Sequence, residues 1–267
     1  MKNIAKKVLV VLMAVLMIGA MAACAPAADS DAKTVSLGTS ADYPPFEFIY
    51  LDDQGAQQYA GIDVSLAKKL AADMDAELNV VNMNFDSLMA SLEKGDVDFV
   101  IAAVEVTEDR LKSADFSEPY YTDLPAMILV KADKAAEFTS IESFADKNVG
   151  AQSGTTKADI VNNDMPGAKF VGLTSVTDLV NELMYGKCDA IVLDGAVAMD
   201  YAASNSELVV ADVALGEALP FCVAVQKGDP KGLLESINKS IADALSQGLV
   251  DQWVAEADEL SSKALEG

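Results

Sequence analysis

The chain has 267 residues, of which 42 are acidic, 19 are basic and none is histidine, so its formal net charge is −23. So acidic a chain lacks the basic surface that displaces counterions from nucleic-acid phosphates or adheres to anionic lipid, and we expect neither partner. Without histidine, Ser-His-Asp catalysis, Cys-His catalysis and histidine-ligated metal sites are excluded. The hydrophobic content of 51% is typical of a globular protein.

Residues 1–23 have the pattern of a secretory signal peptide. Three lysines precede an apolar run from Val8 to Ala23, which ends in small residues. The alternative is a membrane anchor, because the apolar stretch extends to Ala28 and reaches the roughly 20 residues that a bilayer requires. Pro26 lies inside that stretch and favours the signal peptide.

Cys24 follows Met21-Ala22-Ala23 directly, and this sequence resembles the lipobox of bacterial lipoproteins, with Met21 where leucine is usual. The resemblance implies cleavage before Cys24, which becomes the acylated N-terminus, with palmitate as one of the attached chains. The exported protein would then be anchored to the outer face of the cytoplasmic membrane, or to the periplasmic side in a cell with two membranes. Residues 24–34 are predicted to form the lipidated cysteine and a flexible polar stalk.

Apolar runs that predict β-strands alternate with amphipathic patterns that predict helices. The predicted strands are 34–39, 78–82, 97–103, 126–131, 148–152, 169–173, 189–193, 208–212 and 221–226. The helical patterns include Ile62–Met74, Val176–Met184 and Leu234–Leu245, with apolar residues spaced on one face. This alternation predicts an α/β fold with mostly parallel sheets.

Two segments, 116–124 and 214–220, interrupt the alternation. Two interruptions around a central block predict one lobe inserted into another. Because ligands bind at the carboxyl ends of strands in open α/β sheets, two facing sheets would form a binding cleft between the lobes.

Arg110 is the only arginine in the chain. Its planar guanidinium can hold a carboxylate through two parallel hydrogen bonds, whereas a lysine ammonium cannot. The alternative is an ordinary salt bridge on an acidic surface. Thr107 is a candidate N-cap for a short helix that carries Arg110 just after the strand 97–103.

Two further candidates follow predicted strands. Ser153-Gly154-Thr155-Thr156 is either an anion site made of backbone N–H groups or a plain capped helix start. Asp194, which follows the strand 189–193, either pairs with a ligand ammonium or caps the next helix.

Several other residues also have two interpretations. Tyr43, Phe46 and Phe48 lie on a proline-stiffened loop that could stack on a ligand, and we expect Phe46, Phe48 or both in the core. Glu105 is either an exposed charge or the partner of Arg110. Cys188 and Cys222 could form a disulfide, but their apolar surroundings favour two buried free thiols.

Taken in order, six motifs resemble those of the family 3 bacterial extracellular solute-binding proteins, the polar amino-acid receptors of ABC importers. The resemblance covers about residues 35–258. The motifs are Gly38-Thr39-Ser40-Ala41-Asp42-Tyr43-Pro44-Pro45-Phe46-Glu47-Phe48, Gly61-Ile62-Asp63-Val64-Ser65-Leu66-Ala67, Thr107-Glu108-Asp109-Arg110, Asp115-Phe116-Ser117-Glu118-Pro119-Tyr120-Tyr121, Val149-Gly150-Ala151-Gln152-Ser153-Gly154-Thr155-Thr156 and Gly186-Lys187-Cys188-Asp189-Ala190, the last leading to Asp194. Ser65 departs from the family pattern, which usually has an acidic residue there.

The resemblance implies a two-lobed, type II periplasmic-binding-protein-like α/β fold with a ligand cleft and two crossing hinge strands. Lobe 1 would comprise residues 35–120 and 222–267, and lobe 2 residues 121–221. The implied function is binding of a polar amino acid, with a cationic one as a candidate, and its delivery to an ABC permease. The protein would be monomeric, without cofactor or catalysis. The alternatives are a dehydratase of small carboxylic acids on the same fold, with Glu105 as general acid, and a ligand-sensing module.

The resemblance also assigns site residues. Arg110 would hold the α-carboxylate with help from Thr156, Thr155 and nearby backbone N–H groups, and Asp194 would hold the α-ammonium. Side-chain pocket residues would be Tyr43, Phe85, Ala102, Ala103 and Gln152. Glu105 stands where many family members have serine or threonine, and a carboxylate there favours a cationic or polar ligand side chain.

Overall fold

The computed structural model describes the backbone of residues 33–265 and the side chains up to Ser261. The predicted signal peptide and Cys24 lie outside the described residues. Thr34, which is both the last residue of the predicted stalk and the first of the predicted strand 34–39, begins the first strand.

The described residues form fifteen strands and eight α-helices. The strands are β1 (Thr34–Thr39), β2 (Asp42–Tyr43), β3 (Glu47–Leu51), β4 (Gln57–Ala60), β5 (Glu77–Asn82), β6 (Phe99–Val100), β7 (Ala114–Phe116), β8 (Tyr121–Thr122), β9 (Met127–Lys131), β10 (Asn148–Gln152), β11 (Lys169–Leu173), β12 (Ala190–Leu193), β13 (Leu208–Val210), β14 (Pro220–Phe221) and β15 (Ala224–Gln226). The helices are α1 (Ile62–Asp73), α2 (Phe85–Lys94), α3 (Arg110–Ser113), α4 (Thr156–Asp164), α5 (Val176–Met184), α6 (Gly195–Ser204), α7 (Leu234–Ser246) and α8 (Leu249–Leu265). Two 3₁₀ helices, Ala132–Glu137 and Ile141–Phe144, follow β9.

Two five-stranded sheets define the two lobes. The sheet of the first lobe has the order β5-β1-β6-β15-β7, and that of the second has the order β11-β10-β12-β9-β13. In each sheet two pairings are parallel and two are antiparallel. The prediction of mostly parallel sheets is therefore wrong for half of the pairings. The antiparallel strands are those next to the points where the chain passes between the lobes. At these points the chain enters the sheet without the helical crossover that a parallel connection needs.

The passage between the lobes occurs twice, at β8 and β14. These two-residue strands pair antiparallel, with Tyr121 opposite Phe221 and Thr122 opposite Pro220. The rings of Phe46 and Phe221 meet edge to face at a centroid distance of 5.1 Å, which packs the first lobe against the crossing. Phe46 and Phe48 are both buried in the core, as predicted for at least one of them.

Two predicted strands are wrong in extent. The run 97–103 forms only β6, and Ala103 at the end of this run has a φ of 45°, which lies outside the β region. The run 221–226 is split into β14 and β15, because the amide of Val223 bonds the hydroxyl of Ser117 rather than a strand partner. The other predicted strands and the three helical patterns agree with the structure to within two residues at each end.

Cys188 and Cys222 are free and buried, so the interpretation as two buried thiols is confirmed. Among residues 33–265, none of the helices combines the length and the apolar character that crossing a membrane requires.

Candidate ligand-binding site

The carboxyl ends of strands from both lobes meet at one small pocket. From the first lobe, β2, the start of α2 and the segment after β6 face it, and from the second lobe the segments after β10 and β12 do. The residues that line the pocket are Tyr43, Phe85, Ala102, Ala103, Glu105, Arg110, Gln152, Thr155, Lys157 and Asp194. The structure thus brings together nine of the ten residues that the sequence assigned to the site. The tenth, Thr156, touches Glu105 from the other side.

Tyr43 and Asp194 connect the lobes directly. The Tyr43 hydroxyl donates to Oδ2 of Asp194 at 2.8 Å and accepts the backbone N–H of Asp194 at 2.9 Å. Burial, together with the Asp194 charge, raises the pKa of Tyr43 far above its ordinary value, so the hydroxyl keeps its proton. Asp194 is the N-cap residue of α6, as one of its two interpretations predicted, but its carboxylate makes no capping bond and faces the pocket instead.

Lys157, which is not among the predicted site residues, lies between the two acids of the site. Its Nζ is 3.0 Å from Oε1 of Glu105 and also pairs with Oδ1 of Asp194. The Lys157 residue is only 4% exposed. Burial alone would lower the pKa of Lys157, but the charges of Asp194 and Glu105 outweigh it and raise the pKa, so the ammonium is charged.

Glu105 is buried, and both of its carboxylate oxygens face the second lobe. Oε1 pairs with Lys157, and Oε2 accepts the hydroxyl of Thr156. The interpretations of Glu105 as an exposed charge and as the partner of Arg110 are therefore wrong, whereas its predicted place at the pocket agrees with the structure. The side chain is neither exposed nor paired with Arg110, which instead contacts the Glu105 main chain.

Arg110 is positioned by main-chain acceptors. Its Nη1 donates to the carbonyl of Glu105 at 2.7 Å, and its Nη2 donates to the carbonyl of Gly154 in the second lobe at 3.1 Å. The guanidinium lies 5.3 Å from the ring centroid of Phe85. No carboxylate among the described residues lies within ion-pair distance of Arg110, so the interpretation as an ordinary salt bridge is wrong.

The turn 153–156 begins α4. Thr155 is the N-cap, and its Oγ1 accepts the N–H of Ala158 at 3.2 Å. Gly154 has a φ of 81°, and a Cβ there would lie 3.2 Å from Cβ of Asp86 in the first lobe. The turn is therefore a capped helix start at which the lobes approach closely. Thr107 Oγ1 accepts the N–H of Arg110 at 3.2 Å, but the N-cap position of α3 is Asp109, so the prediction of Thr107 as the N-cap is wrong in its position.

The pocket encloses only about 10 Å³, which is the space of about one water molecule. A larger cavity of about 480 Å³ lies on the other side of the Lys157 ion pairs, and its lining also includes Glu105, Lys157 and Asp194. Leu124, Ile160 and Leu215 give much of its wall an apolar character. The ion pairs therefore separate two spaces.

Two facing α/β lobes, joined by a double crossing and meeting at a pocket with opposite charges, define a two-lobed binding protein of the type II periplasmic kind. The chain belongs to the bacterial extracellular solute-binding proteins, family 3, whose sequence profile matches residues 35–256. The family that the six motifs indicated is confirmed.

The chain is 32% identical to ABC transporter arginine-binding protein 1 of Escherichia coli (strain K12), over 84% of this chain and 92% of the relative. It is also 32% identical to the arginine-binding extracellular protein ArtP of Bacillus subtilis (strain 168), over 92% of this chain and 96% of the relative. These relatives are named as transporter and extracellular binding proteins, which places this chain in an exported, ABC-transporter class.

Solved structures share the fold. The amino acid ABC transporter substrate-binding protein AbpA from Streptococcus pneumoniae, bound to L-arginine, matches with a TM-score of 0.82 at 30% identity, over 86% of this chain and 96% of that one. An ancestral amino-acid-binding protein, a precursor of cyclohexadienyl dehydratase, matches with a TM-score of 0.75 at 33% identity, over 84% and 94%.

Proposed function

We propose that this protein is the substrate-binding component of an ABC importer and captures a polar L-amino acid, with arginine as the first candidate. The observation that carries the proposal is the opposition of Arg110 and Asp194 at one pocket. Arg110 has no carboxylate partner among the described residues, and Asp194 is buried on the opposite lobe. A zwitterion offers each of them the opposite charge.

Arg110 holds the α-carboxylate, assisted by Thr155, Thr156 and the N–H groups at the start of α4, where the helix dipole favours an anion. Asp194 holds the α-ammonium. The two aromatic residues, Tyr43 and Phe85, form walls for the ligand side chain, and the pocket is completed by Ala102, Ala103 and Gln152. Glu105 accepts a polar or cationic group of that side chain.

Ligand capture is coupled to closure of the lobes. The two bodies that move are residues 35–120 with 222–267, and residues 121–221, and they turn about β8 and β14. The contacts of Tyr43 with Asp194 and of Arg110 with Gly154 bridge the two lobes, so opening of the lobes would break them. A ligand that touches both lobes favours the closed state by its differential affinity, and the permease recognises it.

A thermal-shift and calorimetric screen tests the proposal. Purified protein is unfolded, washed free of bound ligand, refolded and titrated with the twenty amino acids, ornithine and citrulline. A ligand at about 100 times its Kd adds about 2.7 kcal/mol of stability. Binding of one amino acid, or of one chemical class of amino acids, supports the proposal. If the refolded protein binds none of them, the proposal is contradicted.

We also propose that the protein is not an enzyme, although one structural neighbour is a dehydratase precursor. In a dehydratase Glu105 would have to donate a proton, but both of its carboxylate oxygens are engaged by Lys157 and Thr156. Incubation with prephenate and arogenate is expected to give no product. Turnover of either acid by the purified protein would support an enzymatic function instead.

We further propose that the mature protein is a monomeric lipoprotein whose Cys24 is acylated after removal of residues 1–23. The support is the sequence Met21-Ala22-Ala23-Cys24 at the end of an apolar run. Expression in a bacterium and intact-mass measurement test this proposal. The wild type is expected in the membrane fraction with diacylglycerol and acyl additions, and Cys24→Ser is expected without them. An unmodified wild type contradicts it.

A further inference from the structure

Lys157 is in an unfavourable place for a lysine. It occupies the first turn of α4, where the helix dipole repels a positive charge. It is also 4% exposed, and lysine is almost never buried to this extent unless it is paired. The position therefore depends on Glu105 and Asp194, the two acids that the proposed function assigns to the ligand.

The side chain of Lys157 fills the place that a ligand cation would take. Its ammonium touches both acids, and it lies 6.0 Å from the ring centroid of Phe221. The remaining pocket, about 10 Å³, cannot hold an amino acid. A ligand ammonium that reaches Asp194 must therefore compete with a cation that is already attached to the chain.

The larger cavity offers Lys157 a second position. It adjoins the ion pairs, has a volume of about 480 Å³, and has two exposed acids, Asp164 and Glu217, in its lining. The aliphatic stem of a lysine is flexible and can lie along the apolar wall of the cavity while its ammonium stays near water and carboxylates. Withdrawal into this cavity leaves Glu105 and Asp194 to the ligand.

We propose that Lys157 is a tethered cation that sets the charge selectivity of the site, an inference that rests on the proposed function. With Lys157 in place, Arg110 and Lys157 balance Glu105 and Asp194, and the site is neutral. An amino acid with an uncharged side chain replaces Lys157 at Asp194 alone, so the lysine stays on Glu105. A dibasic amino acid brings one cation for each acid, and it binds by expelling Lys157.

Binding of L-arginine and L-citrulline to Lys157→Met tests this inference, because the two ligands have nearly the same shape and differ in the side-chain charge. In the variant the site carries an excess negative charge. Arginine no longer has to displace a cation, whereas bound citrulline leaves the Glu105 carboxylate without a cationic partner. We expect the ratio of the Kd for citrulline to the Kd for arginine to rise by about tenfold or more, the equivalent of about 1.4 kcal/mol.

Two control variants accompany the measurement. Lys157→Arg keeps a cation and is expected to leave the ratio near that of the wild type. Lys147→Met removes a lysine that pairs with Glu137 far from the site, and it also leaves the ratio unchanged. A purely structural role for Lys157 would weaken both ligands equally, so a ratio that stays within about twofold in Lys157→Met overturns the inference.

A crystal structure of the wild type with arginine decides the case if Lys157→Met does not fold. We expect Nζ in the larger cavity. Nζ still between Glu105 and Asp194 in the arginine complex overturns the inference while leaving the proposed function intact. A wild type that binds no amino acid overturns the proposed function and this inference together.

Discussion

Tyr43 and Asp194 exchange two hydrogen bonds across the cleft, one to the carboxylate and one from the backbone N–H. Tyr43 lies after the first strand of the first lobe, and Asp194 lies after β12 in the second. The Tyr43 hydroxyl therefore contacts both the side chain and the main chain of Asp194 in the opposite lobe. The Asp194 carboxylate also pairs with Lys157. The contact links lobe closure to the state of the proposed ammonium site.

Tyr43→Phe is expected to weaken ligand capture with little effect on the fold of either lobe. The substitution leaves a carboxylate oxygen and an N–H of buried Asp194 without their partner in the closed state, at a cost of about 1–3 kcal/mol. Affinity should fall by roughly 5- to 150-fold, and small-angle scattering should report a larger radius of gyration in the variant. Tyr185→Phe, at a side chain that is 78% exposed, is the control. Equal affinities for wild type and Tyr43→Phe would contradict a role in closure.

Arg110→Ala is expected to abolish detectable amino-acid binding while the melting temperature changes little. Arg110 is held by two main-chain carbonyls and makes no ion pair with the described residues, so its charge is available to the ligand. Loss of a charge-assisted contact of this kind costs about 2–5 kcal/mol of binding. Lys112→Ala removes a cation from the same short helix, where it pairs with exposed Asp109, and should bind like the wild type. Calorimetry measures both, and wild-type affinity in Arg110→Ala would refute the carboxylate role.

Asp63 should make the folded protein more stable as the pH falls from about 7 to 4. This fully buried carboxylate accepts the hydroxyl of Tyr120 and the N–H of Ala103, each at 2.7 Å. Burial raises its pKa to about 6, whereas the unfolded chain has a value of about 3.9. Between these values the folded state holds a proton that the unfolded state releases, so stability decreases as the pH rises through this range.

Urea unfolding of the wild type and of Asp63→Asn between pH 4 and 7.5 measures this contribution. The difference in unfolding free energy between the two proteins should vary by about 1–3 kcal/mol across the range. Asp53→Asn, which makes the same substitution at an exposed turn, is the control. A constant difference between Asp63→Asn and the wild type would show that Asp63 does not titrate in this range.

Gly61→Ala should be strongly destabilising. Gly61 precedes α1 with a φ of 115°, and a Cβ there would lie 2.1 Å from the carbonyl oxygen of Phe46. The clash and the backbone conformation together should cost about 2–4 kcal/mol. Gly55→Ala, at a φ of 77° with no atom within 4 Å of the added Cβ, should lose only roughly 1 kcal/mol. Denaturant unfolding of both variants isolates the steric part, and equal losses would contradict it.

Much of the site could be predicted because strand ends carry it. Asp194 follows β12 directly, and the turn 153–156 follows β10, so the rule that ligand sites lie at the carboxyl ends of strands places both at one edge of one sheet. Arg110 was conspicuous as the single arginine. The partner of Glu105 could not be predicted in this way, because a long side chain from another lobe reaches it.

Lys157 nevertheless left a signal in the sequence. A lysine directly after Gly-Thr-Thr stands in a helix first turn, where local electrostatics disfavours it, and such a conflict marks a position that tertiary structure or function imposes. The break between β14 and β15 left no comparable signal. The apolar run continues through it, and only the Ser117 hydroxyl, more than a hundred residues away in sequence, occupies the place of a strand partner.

The order β5-β1-β6-β15-β7 has a consequence for the kinetics of folding during export. β15 lies in the interior of the first sheet, yet it follows the entire second lobe in the chain. When the chain emerges with its amino terminus first, the second sheet can form completely from one contiguous segment. The first sheet keeps two open edges, at β6 and β7, until residues 224–226 arrive. The lobe that begins first is therefore the lobe that finishes last, and its unpaired edges are the part of the nascent chain most exposed to misassembly.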